Sequence, residues 1–195
     1  VNAIQNGEAI FSCSISFQKR EKGLEHQIKM PKIQGPEKLK SDLQLRKDLK
    51  SKIPKDYLPM WLREREIETR QVEPVDLLKA EKLPPYRSTW MKPTGKLPSD
   101  ERIHQALLLY VSDMGLLGAA VNPHEVNFMS KKFQSASLDH VMWFHGKVNF
   151  NNWILHHMHS PISQNARGFS RGSIYTKAGK LVASTAQEGL MRIWD

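Results

Sequence analysis

Cysteine is nearly absent from this chain: Cys13 is the only one in 195 residues. A single thiol excludes an internal disulfide framework and a thiolate zinc site. Cys13 sits in an alternating run and reads as a small core residue. Long apolar runs are also missing. The best stretch, Gln105 to Val121, is about 17 residues long and contains Asp113, short of the roughly 20 needed to cross a bilayer. No signal-peptide pattern and no C-terminal peroxisomal tripeptide is visible. The sequence starts at Val1, inside a strand-like pattern, and reads as part of something longer.

Acidic charge is in deficit, with 20 Asp and Glu against 29 Lys and Arg, a net charge of +9. Much of the excess lies between Lys19 and Lys55, in a segment dotted with proline and poor in aromatics. Single-stranded nucleic-acid sites interleave basic residues with stacking platforms. Here most Trp and Phe sit in strand-like runs, so a solvated linker is preferred and no nucleic-acid partner is expected. General attraction of a small anionic ligand is a further use for the charge.

Asn6-Gly7 is a strong hairpin signal and joins V-N-A-I-Q to E-A-I-F-S-C-S-I-S-F. Ala9, Phe11, Cys13, Ile15 and Phe17 share one face of the second arm, the pattern of a half-buried antiparallel strand. The organisation expected is a terminal hairpin over 1–18, a charged and partly helical connector over 19–85, and a compact domain over 86–195. Trp61 and the prolines near Pro84 suggest that the connector packs on the domain. Within it, Thr89–Leu97 predicts a strand, and Pro98-Ser99 a helix start with Ser99 as cap. The helix runs to about Gly115 or Gly118 and is apolar nearly all round, which predicts burial. Four strands follow near Ser135–His145, Trp153–His159, Ala166–Thr176 and Lys180–Trp194, with a hairpin at Ala178-Gly179. One buried helix wrapped by antiparallel strands is an α+β arrangement. Aligning Gly7 with Gly179 also matches the two hairpins, with Ile15 falling on Gln187, which hints at an internal repeat.

The run S-L-D-H-V-M-W-F-H, Ser137 to His145, sets hydrogen-bonding groups inside an apolar strand. Burying them costs several kcal/mol unless each finds a partner, on the order of ~2–7 for a neutral group. Asp113 near the end of the apolar helix is either bonded to nearby backbone or able to orient and deprotonate water. Ser137 is either an ordinary edge serine or a member of the same cluster. Gln187 shares a strand face with Ala183, Thr185, Met191 and Ile193 and is expected to point inward, where both ends of its amide need partners. Asp, Ser and Gln around one water would satisfy each other. Asp139, on the strand face of Ser137, and His140 are rival members, or a structural pair. His145, His156, His157 and His159 raise the question of metal, but no carboxylate or cysteine completes a set, so no metal is expected. Ser137 lacks a G-x-S-x-G setting, which argues against a serine nucleophile.

Together with A-R-G-F-S-R-G-S-I-Y-T-K-A-G-K-L-V-A-S-T-A-Q-E-G, that run resembles the acyl-CoA thioesterase II family, and E-H-Q-I-K-M-P resembles the end of that family's first unit. The resemblance implies a double hot-dog fold, of which this chain holds the tail of one unit and the whole of a second. It implies Asp113, Ser137 and Gln187 as catalytic residues that hold and activate a water for thioester hydrolysis, with backbone N–H groups on the oxyanion. It further implies an acyl-CoA substrate, no cofactor, a homo-oligomer formed through the sheets, and a peroxisomal or cytoplasmic location. Two alternatives stay open. A hot-dog hydratase resembles D-x-N-P-x-H, but Asn122-Pro123-His124 has Ala120 at the aspartate position. A non-catalytic acyl-CoA-binding or assembly subunit is the other.

Overall fold

The computed structural model describes residues 1–194 apart from 77, 127 and 129. The hairpin forms as expected from its turn, with β1 (Asn2–Gln5) and β2 (Glu8–Ser12) joined through Asn6 and Gly7, both at positive φ. It is not half-buried. It makes its own two-stranded sheet, every residue of which is exposed, Phe11 by 57%. Ile15 and Phe17 lie beyond its end.

The connector is partly helical and is held down by specific contacts. In α1 (Asp42–Asp48), Ser41 and Gln44 form a reciprocal capping box. Arg46 is buried, bonded to Asp42 at 2.9 Å and to the carbonyls of Trp61 and Arg63. The Trp61 indole, on α2 (Leu58–Trp61), returns a bond to the Arg46 carbonyl at 2.9 Å. The end of this segment contributes β3 (Ile67–Gln71), a strand within the expected connector, whose polar residues hide the alternation.

β3 is one edge of a seven-stranded antiparallel sheet ordered β3-β4-β7-β8-β9-β5, with β6 also on β9. Its other strands are β4 (Tyr86–Pro93), β5 (Phe133–Ser137), β6 (Val141–Phe144), β7 (Ile154–Gln164), β8 (Arg167–Thr176) and β9 (Leu181–Ile193). One face carries Met91, Ile154, Ile174 and Ala183 and packs on helix α3 (Glu101–Ser112) through Leu108 and Val111. The opposite face, with Trp90, Leu155 and Tyr175, is covered by Met30, Ile33, Leu39 and Val72. The charged connector therefore packs as a layer on the back of the sheet. An antiparallel sheet wrapped on one face around a helix is the α+β hot-dog arrangement.

Three expectations for the helix are corrected. Its N-cap is Asp100, which accepts from the Arg102 N–H at 3.0 Å, rather than Ser99. It is also not buried all round, because Ile103, Leu109 and Tyr110 are exposed on the side away from the sheet. Finally, it breaks at Asp113–Gly115 before α4 (Leu116–Val121) resumes. Gly115 adopts φ +83, a conformation costly for residues with a Cβ, which ends α3 cleanly and turns the chain. The stretch Glu101–Val121 is long and apolar enough for a membrane span by composition alone. Its residues Leu108, Val111, Leu116 and Ala119 are nevertheless fully buried in the core.

His156 on β7 is fully buried on the helix-facing side, with Nε2 3.2 Å from Thr185 Oγ1. Burial, then the neighbouring His140 and His157 rings, lowers its pKa from 6.5 to about 3. An unfolded chain takes up this proton near pH 6.5, whereas the folded one resists until about pH 3. Between those values the unfolded state binds more protons, so stability falls as pH falls, by up to about 1.4 kcal/mol per pH unit. His156→Gln keeps a polar partner for Thr185 and is expected to flatten this dependence. Urea unfolding at about pH 7 and about pH 4.5 checks it, and equal slopes in both proteins would contradict it.

Candidate active site

Three separate elements deliver one connected polar cluster. Asp113 is the C-cap of α3, where the helix stops. Ser137 is the last residue of β5, and Gln187 lies in the middle of β9. The Ser137 hydroxyl donates to Asp113 Oδ1 at 2.9 Å, and the Gln187 side-chain amide donates to Ser137 Oγ at 2.8 Å. The chain of contacts continues: Gln187 Oε1 meets His140 Nδ1 at 2.7 Å, and His140 Nε2 meets Ser112 Oγ at 2.7 Å. Asp113, Ser137 and Gln187 are thus brought together, though they lie 24 and 50 residues apart in the chain.

Their burial differs from expectation. Gln187 points inward and is 2% exposed, but Asp113 and Ser137 are both open to solvent. Ser137 does not open a central strand. It closes a short outer strand that, among the described residues, pairs with β9, and Asp113 sits on the turn that ends its helix. The cluster is therefore anchored at Gln187 and accessible at the carboxylate, as a group acting on an outside molecule requires.

The expected strand Ser135–His145 is in fact two strands that lie end to end along β9. Ser137 pairs with Gly189 and Val141 with Ala186, so four steps on one strand face three on the other. One extra residue is a bulge, and it reverses the alternation beyond it. Asp139 is thereby turned away from the side of Ser137, and His140 takes its place. Asp139 instead accepts from the Glu188 backbone N–H at 2.8 Å, standing in for a lost ladder bond. Of the two rivals, Asp139 is spent on the backbone and His140 joins the cluster. Ser112, fully buried beside Asp113, was missed altogether. A serine in the last turn of a helix bonds its own i−3 carbonyl, here Leu109 at 2.7 Å, and gives no other signal in sequence.

The remaining histidines are dispersed. His145 bonds Ser184 at 2.8 Å and His157 bonds Ser88 at 3.0 Å, each on its own part of the sheet. Burial lowers the His157 pKa, with the nearby His159 adding to the effect. Asn122 donates to the carbonyls of Pro84 and Tyr86 at 3.1 and 3.0 Å, a structural tie between α4 and the start of β4.

Comparison with known proteins gives this geometry a context. Residues 61–190 match the acyl-CoA thioesterase family, a span holding all five cluster residues. Acyl-CoA thioesterase 2 of Haemophilus influenzae is 35% identical over 192 residues, 98% of this chain and 67% of that protein. Acyl-coenzyme A thioesterase 8 of Mus musculus is 35% identical over 205 residues, 99% of this chain and 62% of that protein. An acyl-CoA thioesterase II from Mycobacterium marinum superposes with a TM-score of 0.74 at 32% identity, covering all of this chain and 67% of the other. The chain thus spans about two thirds of the length of these relatives. With its family match covering most of its length and relatives above 30% identity along nearly all of it, the chain belongs to the acyl-CoA thioesterase family.

Proposed function

We propose that this protein hydrolyses acyl-CoA thioesters to free fatty acid and coenzyme A, using a water held by Asp113, Ser137 and Gln187. The observation that carries this reading is the unbroken line of hydrogen bonds from Gln187 through Ser137 to an exposed carboxylate. The family relationship supports the substrate class.

The chemistry follows from what each group can donate. Ser137 commits its one hydrogen to Asp113 Oδ1, which orients the carboxylate and leaves its second oxygen for a water. The Gln187 amide has a second hydrogen beyond the one given to Ser137, and this can hold the same water. Asp113 takes a proton as the water oxygen bonds to the thioester carbonyl carbon. Collapse of the tetrahedral intermediate breaks the C–S bond, and the proton passes from Asp113 to the departing thiolate. Ser137 stays a hydrogen-bonding group, so no acyl-enzyme forms. Met114 and Leu138, next in sequence to Asp113 and Ser137, are exposed apolar side chains that suit an acyl chain.

Release of thiol from an acyl-CoA, followed with a thiol reagent, tests the proposal. Thiol appearing no faster than without protein would end it. Ser137→Ala is expected to lower kcat by about 10- to 100-fold, the value of a hydrogen bond to a charged group. A nucleophilic serine would instead lose all turnover on that change.

A further inference from the structure

We propose that His140 is a positioning residue that holds the Gln187 amide in one orientation, with its NH2 end toward Ser137, from the side opposite the Asp113 carboxylate. The inference rests on the reading of Asp113, Ser137 and Gln187 given above and adds a fourth functional position to it.

Proton counting leads from Asp113 to His140 without a choice along the way. A carboxylate only accepts, so the single Ser137 hydrogen must go to Asp113 Oδ1, 2.9 Å away. Ser137 Oγ can then only accept from Gln187, so the NH2 end of the amide must face it, at 2.8 Å. The carbonyl end is left pointing at His140 Nδ1, 2.7 Å away. A carbonyl oxygen cannot donate, so Nδ1 must carry a hydrogen. The opposite ring nitrogen lies 2.7 Å from Ser112 Oγ, on the residue that precedes Asp113, whose one hydrogen has two acceptors in reach, that nitrogen and the Leu109 carbonyl. These four contacts run Asp113, Ser137, Gln187, His140, Ser112, and the peptide link from Ser112 to Asp113 closes the loop.

An amide has nearly the same shape in either orientation. Only its neighbours tell the NH2 end from the oxygen. Were Gln187 turned over, its oxygen would compete with Asp113 for the one Ser137 hydrogen, and the amide hydrogen that holds the water would face the wrong way. The Nδ1–H of His140 is what favours the working orientation from the buried side. The bulge after Ser137 makes this possible, since it is what brings His140 rather than Asp139 to face Gln187.

Asparagine and aspartate separate direction from shape. The Asn side-chain NH2 occupies the place of Nδ1–H and can donate to Gln187, whereas Asp in the same space can only accept. Relative to the unmodified protein, His140→Ala is expected to lower kcat by about 10- to 100-fold with KM little changed, the usual effect of losing a group that orients a reacting one. His140→Asn is expected to stay within about threefold, and His140→Asp to fall below His140→Ala by about tenfold or more, since it rewards the reversed amide. Equal losses in all three variants would overturn the proposal. An independent readout is the 15N NMR spectrum of the His140 ring in the unmodified protein, which needs no substrate and no variant. A proton on Nδ1 is the expected result, and a bare Nδ1 with the proton on Nε2 overturns the inference. Should the unmodified protein release no thiol from acyl-CoA, the hydrolase reading fails on that result, while the ring proton still decides the geometry claimed for His140.

Discussion

Replacing Asp113 with Asn is expected to lower kcat for acyl-CoA hydrolysis by about 10²- to 10⁴-fold, the range a positioned general base supplies. The substitution is nearly isosteric. Its side-chain oxygen still accepts from Ser137, so the shape of the cluster survives while its proton acceptor is gone. Because Asp113 is exposed on the turn after α3, the fold should hardly notice, and a stability change within about 0.5 kcal/mol is expected. Steady-state kinetics paired with a thermal melt checks both halves. Turnover near that of the unmodified protein would remove Asp113 from the chemistry.

Gln187→Ala is expected to be damaging in two ways at once. Gln187 is buried and serves Ser137 with one end and His140 with the other. Truncation leaves both neighbours without that partner, so a loss of about 1–3 kcal/mol in stability is expected. It also removes the hydrogen that fixes the serine and the one proposed to hold water, so kcat should drop by about 5- to 150-fold, since two directed hydrogen bonds between neutral groups, each about 0.5–1.5 kcal/mol, are lost together. Urea unfolding and kinetics on the same preparation separate the two effects. A destabilised variant with undiminished kcat would mean that Gln187 is a structural residue only. Asp113→Asn and Gln187→Ala thus make opposite demands on the melt and similar ones on the rate, a contrast that follows from exposure alone.

The local sequence revealed elements whose pattern was self-contained. The Asn6-Gly7 and Ala178-Gly179 turns, the long β7–β9 strands and the inward face of Gln187 all follow from alternation and turn chemistry. What escaped it depends on partners distant in the chain. β3 is a strand because β4 lies beside it, not because I-E-T-R-Q alternates. The back of the sheet is covered by Met30, Ile33 and Leu39 from a stretch too charged to look like a packing layer. The strand from Ser135 read as continuous because a bulge is a mismatch between two strands, and a single strand carries no mark of it. That one inserted residue decided the rivalry between Asp139 and His140. Burial was misjudged for the same reason: Asp113 and Ser137 lie in apolar runs, but one is at a helix end and the other on an outer strand.

The central claim is that water attacks the thioester directly, held by Asp113, Ser137 and Gln187. Rapid-quench measurement of a single turnover with acyl-labelled acyl-CoA tests it most directly. Free coenzyme A and free fatty acid should appear together, with no early burst of coenzyme A and no label left on the protein. Label retained on Ser137, or coenzyme A released ahead of the acid, would contradict it.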